Sequence, residues 1–321
     1  MKFGVREICD VTFKTTAAGQ KVGKTVFANA GMPAFSIDTA KTSSLEQATT
    51  TVYAQGGKGN NRLIAWEGEK TMTFTVEDAL ISPMGLAVLS GAGLINAGEE
   101  GNIAHVHVTL DAVLDAEGKA TVTLDMLKEE TGLSNAPELY VCNSTVAPVY
   151  ATVIDGSGAG VQFIPNALKI VDNAGAVIEP TTTDKVKVDS NPVIFKADAE
   201  HAGKTVKLDF YLVMNTGVTE VEIKPQDFGG YFYVEAQTLY RREDTGMDMA
   251  AEIILPKVKV QSGFTFTMAS SGDPSTFTFT MDAFPAYTAF DKTKKVMCVM
   301  QIIGADETAT ATADAAHTHS F

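Results

Sequence analysis

Tryptophan occurs once in this 321-residue chain, histidine five times and cysteine three times. The single tryptophan, Trp66, argues against a glycosidase, which needs two carboxylates converging across a cleft furnished with aromatic platforms. Cys9, Cys142 and Cys298 lie far apart, which excludes a disulfide framework or a zinc pattern. All three sit in apolar runs and are expected to be buried as small hydrophobes. No window approaches the roughly 18 consecutive apolar residues of a membrane helix. Residues 1–7 carry no apolar core of a secretory signal. The expectation is a soluble protein with no membrane partner. Bases are outnumbered, 25 Lys and Arg against 39 Asp and Glu, for a net charge of −14. A surface of that sign repels phosphates and speaks against a nucleic-acid groove.

The most regular stretch is residues 228–287, which reads as four strands: 231–240, 250–260, 264–268 and 277–281. The last two repeat the same five residues, FTFTM. Alternation of Phe with Thr is the period-two pattern of a sheet with one buried and one polar face. Both residue types favour a pleated surface. Nothing there pairs a nucleophile with a base.

Earlier in the chain, residues 3–13 alternate as a first strand, and 25–30 and 34–37 follow as strand pieces. Residues 38–61 are rich in Thr and Ser and poor in large apolar residues, ending in GGKGNN at 56–61. They lack the Gly-Lys-Ser/Thr order of a phosphate loop. The reading is an extended β-arm with a flexible turn, packed on a neighbouring copy of the chain, because such a segment builds no core of its own. Residues 62–66 and 70–76 are expected to pair as a hairpin around Glu67, Gly68 and Glu69. Ser82 as N-cap, Pro83 at the first helical position and Gly91 as the stop define a helix at 83–90.

From about residue 95 short strands recur at roughly eight- to twelve-residue spacing, as in a sandwich or barrel. Asp125 is expected to cap a short helix at 126–131, with Gly132 as its stop. The expected organisation has four parts. Residues 1–98 form the N-terminal half of a barrel, with the extended loop 38–61 and the helix 83–90. Residues 99–204 are an inserted β-rich region, 205–304 the C-terminal half of the barrel, and 305–321 a low-complexity arm. The fold class is mainly β: an antiparallel barrel or sandwich with one short flanking helix and an inserted or elaborated β region.

Candidate chemistry is sparse. His105 and His107 share a strand face, and His317 and His319 have the same spacing, but neither pair has a third ligand nearby. The carboxylate pairs Glu99–Glu100, Glu129–Glu130 and Glu243–Asp244 read as solvated charge. The glycines of 155–160 lack the alternating acids of a calcium loop. No active site, cofactor or metal is expected.

Two groups of segments carry a family resemblance. The first is 53–66 (YAQGGKGNNRLIAW), 70–83 (KTMTFTVEDALISP) and 89–92 (LSGA). The second is 240–248 (YRREDTGMD), 254–258 (ILPKV) and 272–277 (GDPSTF). Together they resemble the structural proteins of tailed bacteriophages, most closely tail tube proteins, over about the first and last hundred residues. The resemblance implies a β-barrel or sandwich flanked by a helix, six copies to a ring, and rings stacked through loops and termini into a conduit for DNA ejection. It implies a virion protein made in the host bacterial cytoplasm. Its partners would be further copies of itself, with tail sheath, tape-measure protein and tail terminator, and DNA would pass the lumen without specific binding. The arm would supply the inter-subunit contacts, for which the candidates are Thr50, Tyr53, Gly56, Gly57, Gly59 and Arg62. Two other readings compete: a capsid decoration or tail-accessory protein, and a carbohydrate-binding β protein.

Overall fold

The computed structural model describes residues 2–5, 7–96, 102–133, 139–154, 162–181, 185–189, 191–265, 270–271 and 275–304. It divides into two compact units, residues 1–94 with 221–321, and residues 95–220. The boundaries drawn from the sequence at 98/99 and 204/205 leave the strand Thr205–Met214 on the other side of the second division.

The first unit begins with β1 (Phe3–Val5), β2 (Asp10–Thr15), β3 (Gln20–Val22), β4 (Thr25–Phe27), β5 (Pro33–Ile37), β6 (Ala40–Gly56) and β7 (Asn61–Asp78). Helix α1 (Pro83–Ser90) and β8 (Gly93–Asn96) follow. The second unit contains β9 (Ala104–Val113), β10 (Lys119–Val122), α2 (Leu124–Thr131), β11 (Leu139–Cys142), β12 (Tyr150–Val153), β13 (Gln162–Phe163), β14 (Lys169–Val171), β15 (Lys185–Val188), β16 (Val193–Lys196) and β17 (Thr205–Met214). The chain then returns through β18 (Thr219–Glu222), which pairs with β8, to β19 (Tyr231–Arg242), β20 (Asp248–Val260), β21 (Phe277–Ala283) and β22 (Val299–Ile302).

One antiparallel sheet organises the first unit, in the order β5-β2-β19-β20-β21-β7-β6. The short strands β1 and β22 extend it beside the far end of β19 and the first half of β20. Strand alternation sorts the side chains. Phe277, Phe279 and Met281 are buried while Thr278 is exposed, and Phe232, Val234 and Ala236 are buried along β19. Phe13 of β2 lies 5.5 Å from Phe35, 5.7 Å from Phe232 and 6.2 Å from Phe279. β2 and β21 are not neighbours in the sheet, so the sheet coils over its own core. Among the described residues it stays open rather than closing into a barrel, and it is sandwich-like. Helix α1 delivers Val88 and Leu89 to the same core. Its ends follow the expected signals: the Ser82 hydroxyl accepts from the Gly85 N–H at 2.9 Å, and Gly91 closes it with φ 73°.

Two local expectations are corrected. Residues 67–69 are not a turn, because β7 runs unbroken from Asn61 to Asp78 and pairs along its length with β6. Gly68 and Glu69 instead form a bulge opposite Thr50, where the register steps from Thr49↔Lys70 to Thr51↔Glu67. Of the row of four strands, three are present among the described residues. Phe264 and Thr265 lie outside any strand, residues 266–269 lie outside the described residues, and β20 pairs directly with β21.

In the second unit β17 is the hub, flanked by β9 along its whole length and by β11 and β12. A three-stranded sheet, β10-β16-β14, supplies the facing apolar layer, with Phe195 and Phe210 packed 5.4 Å apart. Helix α2 starts earlier than expected: Thr123, not Asp125, is the cap, its hydroxyl accepting from the Met126 N–H at 3.4 Å. Asp125 falls in the first turn, where its charge suits the positive end of the helix.

Candidate functional site: the protruding hairpin

The hairpin of β6 and β7 holds every candidate contact residue. Its base belongs to the core sheet, where Phe74 and Val76 are buried and β21 pairs with β7 from Thr73 to Asp78. Beyond Thr71 no residue of the arm is buried on either strand. Pairing nevertheless continues outward, through Thr51↔Glu67, Val52↔Trp66, Tyr53↔Ala65 and Ala54↔Ile64 to Gly56↔Asn61.

The six candidates occupy three separate places on this arm. Thr50 sits in the bulge, where its hydroxyl accepts from the Glu69 N–H at 2.9 Å. Tyr53 and Arg62 come together on one face, with the guanidinium carbon 4.1 Å from the ring centre. Such a stack contributes about 0.5–1 kcal/mol at an exposed site. Gly56 makes the last rung. Gly57 and Gly59 take φ of 80° and 89° in the turn, which the Asn60 N–H closes on the Gly57 carbonyl at 3.1 Å. These are left-handed conformations that a side chain resists, so the GGKGN run is turn chemistry.

The sequence reading missed the other face of the arm. Paired residues point the same way and alternate faces along a strand. Val52 and Trp66, then Ala54 and Ile64, therefore share the face opposite Tyr53, and the register shift between Ala54 and Gln55 sets Arg62 across from Gln55 on the Tyr53 face. Trp66 is 53% exposed, Ile64 54% and Leu63 67%. The signal was present in LIAW at 63–66, but pairing residues 62–66 with 70–76 in a small hairpin hid it.

The remaining candidates stay apart from one another. His105 and His107 are exposed on β9, and His107 Nε2 lies 3.0 Å from Asp209 Oδ1, with its ring 5.4 Å from that of Tyr211. Among the described residues no group of three or more His, Cys, Asp or Glu is placed to hold a metal ion. His317, His319, Glu99, Glu100 and the 155–160 glycines lie outside the described residues. Glu129 and Glu130 lie on α2. Arg242 grips Asp244 through two hydrogen bonds of 2.8 and 2.5 Å and holds its carboxyl below the usual carboxylate range.

Fold and arm together define a β-structural protein that presents a long, partly apolar two-stranded projection. The chain belongs to the YomU/Tube protein family, whose profile matches residues 20–157 and 161–300. This is a family of phage tail tube proteins, and the chain is accordingly a structural protein of the virion that assembles into a multi-subunit tail tube. No curated protein matches the sequence.

Proposed function

We propose that six copies of this chain form a ring, that rings stack into the tail tube, and that the tube conducts DNA during ejection. The observation that carries this reading is the arm. A two-stranded hairpin standing in water is marginally stable by itself. This one also leaves Leu63, Ile64 and Trp66 exposed within four successive residues. Apolar surface gathered in one place marks a surface that another chain covers. In the assembly the arm lies on the adjacent ring, with Thr50, Tyr53, Gly56, Gly57, Gly59 and Arg62 as its contact and turn residues.

The first unit builds the wall, and the region between its two chain segments is an insertion. The face of β7 and β21 opposite the core carries Thr73, Thr75, Glu77, Thr278, Thr280 and Asp282. It is the candidate lumen face, because hydroxyls and carboxylates let phosphates pass without holding them. The sheet ends at β5 and β6, and pairing with neighbouring copies removes those open edges. Tail sheath, tape-measure protein and tail terminator are the further partners, and the chain is made in the host cytoplasm.

Negative-stain electron microscopy of the purified chain tests the proposal. Six-fold rings or tubes are expected, and a monomer at high protein concentration overturns it.

A further inference from the structure

The outward face of β19 and β20 carries two clefts of opposite character. Near Tyr231 lies a cavity of about 680 Å³ rimmed by Tyr231, Tyr287 and Phe290 and by Lys14, Lys257 and Lys292. Phe290 is 94% exposed. The loop that carries it is tied at its base by Ala286 and Val296, whose N–H groups donate to each other's carbonyls at 3.0 and 2.8 Å. Lys257 Nζ stands 4.3 Å from the centre of the Tyr231 ring. The carboxylate in this lining, Glu235, is ion-paired with Lys14. On a chain of net charge −14 this is a local basic, aromatic island.

Near Leu239 lies a second cavity of about 440 Å³, in which Glu7, Asp10 and Glu252 stand beside Ile8, Leu239 and Ile303. Among the described residues that line it there is no lysine or arginine. Arg241 stands next along β19, but Asp248 holds its guanidinium at 2.6 and 2.8 Å. Ile303 is 62% exposed. The two clefts share one face. Tyr231, Tyr233, Glu235, Gln237 and Leu239 lie on this face and alternate with the inward Phe232, Val234, Ala236 and Thr238, Tyr233 being buried there as well. At about 3.4 Å per residue, Tyr231 and Leu239 are roughly 27 Å apart.

We infer that these clefts are the two halves of one head-to-tail contact between copies of this chain, the basic aromatic cleft of one docking on the acidic apolar cleft of the next. This rests on the tube reading and names the surfaces that would join subunits. Both clefts combine charge of a single net sign with exposed apolar groups, and the signs are opposite. Phe290 and Ile303, exposed on the single chain, are the anchors such a contact would bury, and buried anchors supply most of the binding energy in contacts of this kind. The charges steer the approach and set the register, and they reject the like-charged pairing of a cleft with its own kind. A head-to-tail contact, in which each copy offers one cleft to each neighbour, propagates into rings or filaments.

Charge reversal tests it with the full chain. One variant carries Lys257→Glu and Lys292→Glu, the other Glu7→Lys and Glu252→Lys. Glu7 and Lys292 are exposed, Lys257 and Glu252 are half-buried, and circular dichroism melts check that each variant folds. Assembly is read by sedimentation and negative-stain microscopy at low salt. Each variant alone is expected to lose assembly at least about tenfold, equivalent to about 1.4 kcal/mol. An equimolar mixture of the two is expected to regain it, because the reversed clefts then match. Variants that assemble as the unaltered chain does, a mixture that fails to recover, or a closed two-fold dimer overturn the inference and leave the tube reading standing. An unaltered chain that stays monomeric overturns both.

Discussion

The hydroxyl of Thr50 occupies the space that a β-carbon on Gly68 would need. That carbon would stand 2.6 Å from Thr50 Oγ1, the same atom that accepts from the Glu69 N–H at 2.9 Å. The bulge therefore requires a bare backbone opposite a small hydroxyl, and bulges of this kind bend and twist a strand. Gly68→Ala is expected to redirect the arm and to lower assembly. Global stability should move by no more than about 0.5 kcal/mol, the usual range for a surface position. Urea unfolding and micrographs of the same preparation separate the two effects, and tubes of unaltered length would refute the role given to the bulge.

Removing the apolar face of the arm should act in the same direction. Leu63→Ser with Trp66→Ser takes two exposed side chains from the surface proposed to meet a neighbouring copy. The double variant is expected to stay soluble and to melt like the parent, while its sedimentable assembly falls.

Core variants should show the opposite split. Phe279 is 1% exposed and packs 6.2 Å from Phe13 and 6.0 Å from Phe35. Phe279→Ala is expected to cost about 3–5 kcal/mol, as truncation of a buried aromatic does. Urea unfolding of Phe279→Ala beside Phe290→Ser, which removes a ring 94% exposed, checks the order: the first destabilises and the second does not.

The ends of α1 differ in how much they tolerate. Ser82→Ala removes one side-chain cap and is expected to cost about 1 kcal/mol. Gly91→Ala should cost more, because its β-carbon would lie 2.5 Å from the Phe228 carbonyl carbon and its φ is 73°. Thermal melts should rank the parent first, Ser82→Ala second and Gly91→Ala last.

Burial pushes the Cys298 thiol up to about 11, and burial also raises those of Cys9 and Cys142. A folded value above the ordinary 9.0 means the unfolded chain ionises first as pH rises. The stability tied to the neutral thiol is therefore fully present below pH 9.0 and is lost as pH climbs towards about 11. Denaturant midpoints should fall across that window, less steeply in Cys298→Ala. Alkylation at pH 8, below the ordinary 9.0, should be slow in the folded chain and fast in urea.

What the sequence determined by itself is local. Period-two alternation of Phe with Thr identified β21 and β7 as strands and chose their buried faces, because pleat geometry depends only on neighbouring residues. Ser82, Pro83 and Gly91 marked α1 for the same reason, since capping is settled within one turn. The glycines at 56–59 announced a turn, and the turn is there.

Only the tertiary structure decided the rest. Gly68 reads as a turn in the sequence, yet it is a bulge, because β6 is long enough to pair past it. Whether LIAW at 63–66 is core or surface depends on how far the sheet behind it extends. β21 covers β7 only from Thr73 to Asp78 and leaves the outer strand to water. The clefts on β19 and β20 take in side chains as distant in sequence as Glu7 and Ile303, or Lys14 and Phe290. Contacts between residues that far apart are made by strand order and register, which no local pattern encodes.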